Sequence, residues 1–261
     1  MAPPALVVRS NGSIAHVELA RPAVRNAFDG ALIDEIDATF ARLGADEGVR
    51  GIVLSGAGAA FCGGADVTWM RSSLDLTLEE NRSGARAMSR MYRTIDRCPK
   101  PVIARVHGAA MGGGAGLVAV ADIAVAMHDT IFAFSETKLG ILPAVISPFV
   151  LAKIGRSHAR ALALTGERFG APRALAIGLI HEVVASPAAL ERAVERICAE
   201  IASASPTAMA ATKALFEIVV ESDYAGSLEL TARAIADQRT SAEGQDGLRA
   251  FLEKRSPAWR R

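Results

Sequence analysis

A glycine-dense stretch inside an apolar segment, RVHGAAMGGGAGLVAVADIAVA at Arg105–Ala126, constrains this chain more than any other feature. An apolar strand, Val102–Val106, leads into it, and a second apolar run closes it. Three consecutive glycines, Gly112–Gly114, disfavour regular structure because glycine loses the most backbone freedom on folding. Such glycines suit a place where bare backbone N–H groups approach a ligand, above all at the start of a helix. A tight strand-to-helix turn that needs a positive φ explains the same residues equally well, so both interpretations stay open here.

Composition and charge restrict the class of protein. Apolar residues make up 51% of the 261 positions, which is enough for a sizeable core. With 29 basic and 28 acidic residues, no nucleic-acid or membrane partner is expected. The widely spaced Cys62, Cys98 and Cys198 predict reduced thiols rather than disulfides or a zinc site. The longest apolar run, Leu117–Met127, is too short to span a bilayer, and we see no secretory signal, so we expect a soluble cytoplasmic protein.

The hydrophobic pattern predicts alternating strands and helices followed by a helical tail. A hairpin is expected around Asn11-Gly12, a helix after Asp29, and a short buried strand at Gly51–Ser55. Beyond Pro187 the pattern is helical throughout. This order predicts an α/β core in residues 1–186 and a helical region in residues 187–261.

Two glycine turns, Gly63-Gly64-Ala65 and Gly112–Gly114, each follow a buried strand. Placed side by side, they would aim two backbone N–H groups at one point, which is the geometry of an oxyanion hole. Competing motifs fail on spacing: Leu117 stands where GxGxxG needs its last glycine, and GxxxxGK, GxSxG and HExxH are all missing. Nucleotide-binding, serine-hydrolase and metal chemistry therefore have no support.

Glu136 is the candidate for proton transfer. Its apolar neighbours, which include Phe134 and Leu139, would raise the pKa of its carboxyl toward a useful value. A glutamate in a first helical turn also simply complements the helix dipole, so a structural role stays open. Asp66 has a similar alternative, because it is also a candidate N-cap.

The order of these motifs resembles the crotonase superfamily, the enoyl-CoA hydratase/isomerase family, over essentially the whole chain. The matching motifs are Arg21-Pro22 with Asn26-Ala27, Phe61–Asp66, His107-Gly108 with Gly112–Gly114, Asp122-Ile123, Ser135-Glu136 with Leu139-Gly140 and Pro143, and Phe251–Arg255. The resemblance implies an α/β, crotonase-like spiral of ββα units with a helical C-terminal trimerisation region. It also implies a homotrimer or dimer of trimers that binds an acyl-CoA, with coenzyme A entering as the substrate thioester and no separate cofactor or metal.

The resemblance also implies roles for individual residues. The backbone N–H groups of Ala65 and Gly113 would form the oxyanion hole, and Glu136 would be the catalytic carboxylate. The residues expected to bind coenzyme A are Arg25, Asn26, Ala27, Cys62, Gly63, Gly64, Asp66 and Gly112, together with Phe251 and Lys254 reaching in from a neighbouring subunit. A solvated C-terminal helix is the alternative for Phe251 and Lys254.

One position departs from the family's pattern. Two-glutamate hydratases carry a carboxylate three residues after the middle glycine, where this chain has Gly116. A missing carboxylate favours a Δ3-Δ2 enoyl-CoA isomerase with Glu136 as sole base, or a catalytically idle acyl-CoA-binding protein. The segment GGGAGLVAVADIAVA, however, resembles the branch that hydrates methylglutaconyl-CoA and carboxygeranoyl-CoA, where glycine also replaces the first glutamate. We therefore predict a single-glutamate enoyl-CoA hydratase of fatty-acid metabolism or branched-chain amino-acid catabolism.

Overall fold

Strands and helices are interspersed along the chain up to residue 184, and helices alone follow in the computed structural model, which describes residues 4–260. The strands are Leu6–Asn11 (β1), Ile14–Leu19 (β2), Gly51–Gly56 (β3), Val102–Val106 (β4), Ala109–Met111 (β5), Ile123–Met127 (β6), Ile131–Ala133 (β7), Phe169–Gly170 (β8) and Glu182–Val184 (β9). The α-helices are Gly30–Ala45 (α1), Val67–Ser72 (α2), Leu78–Asp96 (α3), Gly113–Val120 (α4), Ser147–Thr165 (α5), Ala171–Ala176 (α6), Pro187–Ser203 (α7), Pro206–Glu221 (α8), Tyr224–Thr240 (α9) and Ala242–Leu252 (α10). Short 3-10 turns are Pro22–Val24, Ser73–Asp75, Glu136–Leu139 and Ala258–Arg260.

The main sheet has the strand order β1-β2-β3-β4-β6-β9. β1 and β2 pair antiparallel around the Asn11-Gly12 turn, which confirms the predicted hairpin, and the other neighbouring strands pair parallel. β5, β7 and β8 form a smaller sheet beside it. Parallel strands end at the same edge, so the loops after β3 and β4 meet there.

Both faces of the main sheet are covered. In β3, Ile52 and Leu54 face the large core beneath α1, α3 and α4, whereas Val53 faces the opposite side. There Val53 packs with Val194 and Ile201 of α7. Burial on both faces explains why the strand sequences are continuously apolar rather than alternating.

Helix α1 forms as the sequence predicts. Asp29 caps it by accepting the Leu32 N–H at 2.8 Å, an interaction that contributes about 1 kcal/mol. The apolar residues at helical spacing point inward and are buried: Leu32, Ile33, Ile36, Phe40 and Leu43. This face packs against α3.

The structure differs from the sequence pattern within two segments near the glycine stretch. Ala109–Met111 forms β5 by pairing with β7, a non-local contact that the pattern Gly108–Gly116 does not predict. The predicted helix beginning at Ser135 is only one 3-10 turn, because Gly140 follows in the left-handed region with φ 74°.

The C-terminal region is helical, as predicted, and its helices differ in burial. α7 covers one face of the sheet, whereas α8 and α9 contain no buried residue. Phe216, Val220 and Tyr224 are 64%, 85% and 81% exposed. The division at residue 186 stays a prediction. Within residues 4–260, none of the helices combines the length and the apolar character that crossing a membrane requires.

Asn26 joins the loops that follow β2 and β3. Asn26 has a backbone φ of 57° and is fully buried. The side-chain Oδ1 accepts the Arg21 N–H at 2.9 Å, and Nδ2 lies 2.8 Å from the carbonyl oxygens of Ala57 and Ala60. Asparagine tolerates the left-handed region better than most residues, so both the backbone and the amide fit this position.

Replacing Asn26 with alanine should lower the free energy of unfolding by about 2–4 kcal/mol, because several buried polar groups lose their partners. Urea denaturation measures this loss. Asn81→Ala is the matched control: Nδ2 of Asn81 also contacts three carbonyl oxygens, but Asn81 is exposed, so water replaces the amide. Equal losses in the two variants would contradict the role given to burial.

Candidate active site

Backbone hydrogen bonds bring the two glycine turns together. The Cys62 N–H donates to the Ala109 carbonyl at 3.1 Å, and the Met111 N–H donates to the Cys62 carbonyl at 3.0 Å. On the other side, Phe28 forms a parallel bridge with Ala65. The first turn is therefore held between Phe28 and β5, directly beside the start of α4.

Two N–H groups stay unpaired in this arrangement. Across residues 4–260, neither the Ala65 N–H nor the Gly113 N–H has a hydrogen-bond acceptor. A Cβ placed on Gly64 would lie 3.8 Å from the Gly113 nitrogen, so the two turns are in contact. The Gly113 N–H is also the first donor of α4, where the helix dipole favours negative charge. The predicted juxtaposition of the two turns is confirmed, and the geometry suits an oxyanion.

Gly64 and Gly112 are required at these turns for different reasons. Gly64 has φ 91°, and a Cβ there would lie only 2.8 Å from the Met111 carbonyl oxygen. Gly112 has φ 50°, and a Cβ there would meet the Glu136 carboxyl at 3.0 Å. The first glycine permits close approach of backbone, and the second leaves room for an acidic side chain.

Glu136 therefore lies over the start of α4. Burial raises the pKa of its carboxyl, and its own backbone N–H offsets the effect in part. Its Oε2 is buried and has no hydrogen-bond partner among the described residues. A carboxylate with an uncommitted oxygen and a raised pKa is suited to accept and return a proton.

Glu136, Ala65 and Gly113 line one cavity of about 360 Å³. Its other walls come from α2, the first half of α3 and the segment Leu139–Ile146. Most of the lining is apolar, and the few polar groups converge at the glycine turns, as in typical small-molecule sites. Within residues 4–260, no three His, Cys, Asp or Glu side chains are placed to hold a metal ion.

The family model described as enoyl-CoA hydratase/isomerase matches residues 9–261. The chain belongs to the enoyl-CoA hydratase/isomerase family. A solved structure of Pseudomonas aeruginosa AtuE is 38% identical, with TM-score 0.95 over 99% of this chain and 100% of that one. An enoyl-CoA hydratase from Shewanella pealeana is also 38% identical, with TM-score 0.94 over 98% and 96% of the two chains. The short-chain-enoyl-CoA hydratase of Clostridium acetobutylicum is 29% identical over 96% of this chain and 95% of its own.

These matches confirm the predicted superfamily and the crotonase-like fold. They also confirm the predicted enzyme class at the level of the family. The particular branch, the substrate and the residue roles stay predictions.

The position of the missing family carboxylate is closed. A Cβ on Gly116 would overlap Ile146 and lie 3.0 Å from the hydroxyl oxygen of Tyr92. Ile146 and Tyr92 thus fill the space into which a side chain at residue 116 would project. Glycine at residue 116 and the close packing of Ile146 and Tyr92 against it therefore depend on each other.

Tyr92 is a site residue that the sequence pattern did not single out, because it reads as one more apolar residue of α3. Its side chain is fully buried, and its hydroxyl donates to the Gly113 carbonyl at 2.6 Å. Burial raises the pKa of Tyr92 far above its usual range, and the nearby Cys62 and Glu136 raise it further. The hydroxyl stays protonated and holds the first residue of α4 in place.

Several residues predicted to bind coenzyme A have their side chains committed to the fold. Asn26 is buried in the loop junction described above. Asp66 caps α2 through the Thr68 N–H and pairs with Arg21 at 3.0 Å, which confirms its N-cap interpretation. The Cys62 thiol is fully buried, which raises its pKa to about 12. Arg25 is exposed, at φ 53°, and its carbonyl accepts the Gly63 N–H.

Phe251 and Lys254 lie outside this cavity. Phe251 is 81% exposed near the end of α10, and neither residue lines the cavity of its own chain. Their predicted contact with coenzyme A of a neighbouring subunit stays a prediction.

Replacing Tyr92 with phenylalanine should lower kcat about tenfold and leave KM within about twofold for the thioester that the enzyme turns over, because the Gly113 donor loses its support while the cavity keeps its shape. Unfolding free energy should fall by about 1–2 kcal/mol. Steady-state kinetics and urea denaturation measure both. Tyr224→Phe, at the chain's other and exposed tyrosine, is the control. An unchanged kcat in Tyr92→Phe would contradict the positioning role.

Proposed function

We propose that this chain adds water across the 2,3 double bond of an enoyl-CoA thioester, with Glu136 as its one catalytic carboxylate. The observation that carries the proposal is a carboxyl with an unpartnered oxygen in the same cavity as two unpaired N–H groups. The hydratase names of the relatives support the reaction type.

The two N–H groups act on the thioester carbonyl. Donors from Ala65 and Gly113 polarise it, which withdraws electrons from the double bond and makes Cβ electrophilic. When water adds at Cβ, charge moves to the carbonyl oxygen as an enolate, and both donors strengthen as that charge develops. Loss of one such donor costs roughly 3–4 kcal/mol of barrier in other enzymes.

Glu136 handles the proton. As a carboxylate it takes a proton from water while the water oxygen bonds to Cβ. As a carboxylic acid it then returns that proton to Cα, and the enolate collapses to the 3-hydroxyacyl thioester. One water is consumed, and Glu136 ends in its starting form. A raised pKa assists the second step, because it makes the carboxylic acid easier to populate near neutral pH.

The remaining expectations form part of the same proposal. Coenzyme A enters with the substrate, no separate cofactor takes part, and the enzyme is cytoplasmic. The exposed apolar residues of α8 and α9 support assembly into a homotrimer or dimer of trimers, since faces of this kind are usually covered by a partner.

A Δ3-Δ2 enoyl-CoA isomerase is the second candidate, favoured by the closure of the Gly116 position. Moving a proton between Cα and Cγ needs one base, and Glu136 would supply it. An idle acyl-CoA-binding protein has no use for a carboxyl with a buried oxygen that lacks a hydrogen-bond partner, because such an oxygen lowers stability.

Replacing Glu136 with glutamine should reduce turnover by about 10²–10⁴-fold while acyl-CoA affinity is kept. Absorbance of the conjugated thioester is followed with crotonyl-CoA, 3-methylglutaconyl-CoA and a 3-enoyl-CoA. Glu136-dependent loss of absorbance establishes hydration, and gain from the 3-enoyl substrate alone reassigns the protein as an isomerase. Glu35→Gln, on the exposed face of α1, is the control. Silence on all three substrates would overturn both proposals.

The pH dependence should report the raised pKa of Glu136. Since the ionised form starts the reaction, kcat/KM should fall toward acid pH with an apparent pKa above that of an ordinary glutamate.

The raised pKa of Glu136 also affects stability, because the stabilising contribution of its protonated form is lost as pH rises through that pKa. Glu136→Gln should therefore unfold at the same or higher temperature than wild type at neutral pH. A less stable Glu136→Gln protein would contradict this account.

A further inference from the structure

One face of α3 forms a wall of the cavity. Asn81, Gly84, Ala85 and Met88 line it, and their positions i, i+3, i+4 and i+7 lie on one side of the helix. Tyr92 continues the same row to the oxyanion hole. Glu80, twelve residues before Tyr92, therefore lies about 18 Å away along the helix, at the exposed end of the cavity.

Gly84 keeps this wall open. A glycine inside a helix is unfavourable by about 1 kcal/mol relative to alanine. No atom lies within 4 Å of where its Cβ would be, so close packing does not explain it. The gap leaves room for an acyl chain to pass along α3 from the glycine turns toward Glu80.

The charge of the cavity has one sign. Among its lining residues within 4–260, Glu136 and Glu80 are acidic and none is Lys, Arg or His. The polar groups beside Glu80 are already used: Nδ2 of Asn81 contacts the carbonyl oxygens of Leu76 and Thr77, and the Ser73 hydroxyl donates to Met70. No cation from this wall balances an anionic chain end.

Glu80 is held in place in its charged form. Its carboxylate accepts the Thr77 N–H at 2.8 Å and the Thr77 hydroxyl at 2.6 Å, completing the capping box of α3. These hydrogen bonds lower the pKa of Glu80. The carboxylate is thus a fixed negative charge at neutral pH.

We propose that Glu80 is a specificity-determining residue that favours acyl chains with an uncharged end and disfavours chains that end in a second carboxylate. The proposal rests on the proposed function, because it places the acyl group of a coenzyme A thioester in this cavity. Like charges without an intervening cation repel, and repulsion between partners is a common source of specificity.

The test is direct binding of two saturated thioesters that the enzyme cannot hydrate, tetradecanoyl-CoA and tetradecanedioyl-CoA joined to coenzyme A at one end, whose chains are long enough to reach Glu80 from the glycine turns. Titration calorimetry compares wild type with Glu80→Gln, in which glutamine keeps the capping box but loses the charge. Tetradecanedioyl-CoA affinity should rise about three- to tenfold in the variant, and tetradecanoyl-CoA affinity should stay within about twofold. The gain should shrink between about 0.02 M and about 0.3 M salt, which a purely structural effect would not do.

Glu79→Gln is the matched control, because Glu79 has the same charge one residue earlier but pairs with Arg86 and does not line the cavity. An unchanged tetradecanedioyl-CoA affinity in Glu80→Gln, or an equal gain in Glu79→Gln, would overturn the proposal. The expected selectivity without any hydration or isomerisation would instead overturn the proposed function and leave the role of Glu80 standing. Hydration of crotonyl-CoA with no effect of Glu80→Gln would do the reverse.

Discussion

The pair of backbone hydrogen bonds between Cys62 and β5 is the interaction on which the site depends. They join the loop after β3 to the strand that precedes α4, and so hold the two glycine turns side by side. Because these bonds are made by the main chain, no side-chain rotamer change disturbs them. They also consume the neighbouring donors and leave the Ala65 and Gly113 N–H groups free. The two N–H groups that would face an oxyanion are thus the donors that the surrounding backbone pairing leaves without an acceptor.

The core around this unit holds several features that are unfavourable by themselves. Gly64 and Gly112 are in the left-handed region, Glu136 has a buried oxygen without a partner, and two N–H groups are unpaired. Each lowers stability relative to a satisfied, apolar alternative. The double-sided burial of the main sheet and the Asn26 junction offset these losses. Several destabilising features grouped in one place are expected at a functional site rather than in a purely structural loop.

Local pattern predicts much of this fold, because each predicted element has its cause within a few residues. Asp29 caps α1 just before the buried apolar residues of that helix, and Asn11-Gly12 makes the β1–β2 turn. The two glycine turns were predicted to converge because both follow buried strands. β5 was not, since its pairing with β7 depends on a residue some twenty positions away. Tyr92 was missed for the same reason, because its importance comes from its contacts with Gly113 and Gly116, which spacing along α3 does not reveal.

The packing at Gly116 limits how protons move in this site. Tyr92 is the polar group nearest the closed position, but its hydroxyl hydrogen is committed to the Gly113 carbonyl. Its raised pKa prevents it from serving as a base. Under the proposed function, both proton transfers therefore fall to Glu136, whether water adds across the double bond or a proton shifts between Cα and Cγ. Restoring a glutamate at residue 116 alone would not recreate a two-carboxylate site, because Ile146 occupies the space that its Cβ needs. The packing around Gly116 therefore supports the single-carboxylate mechanism that we propose.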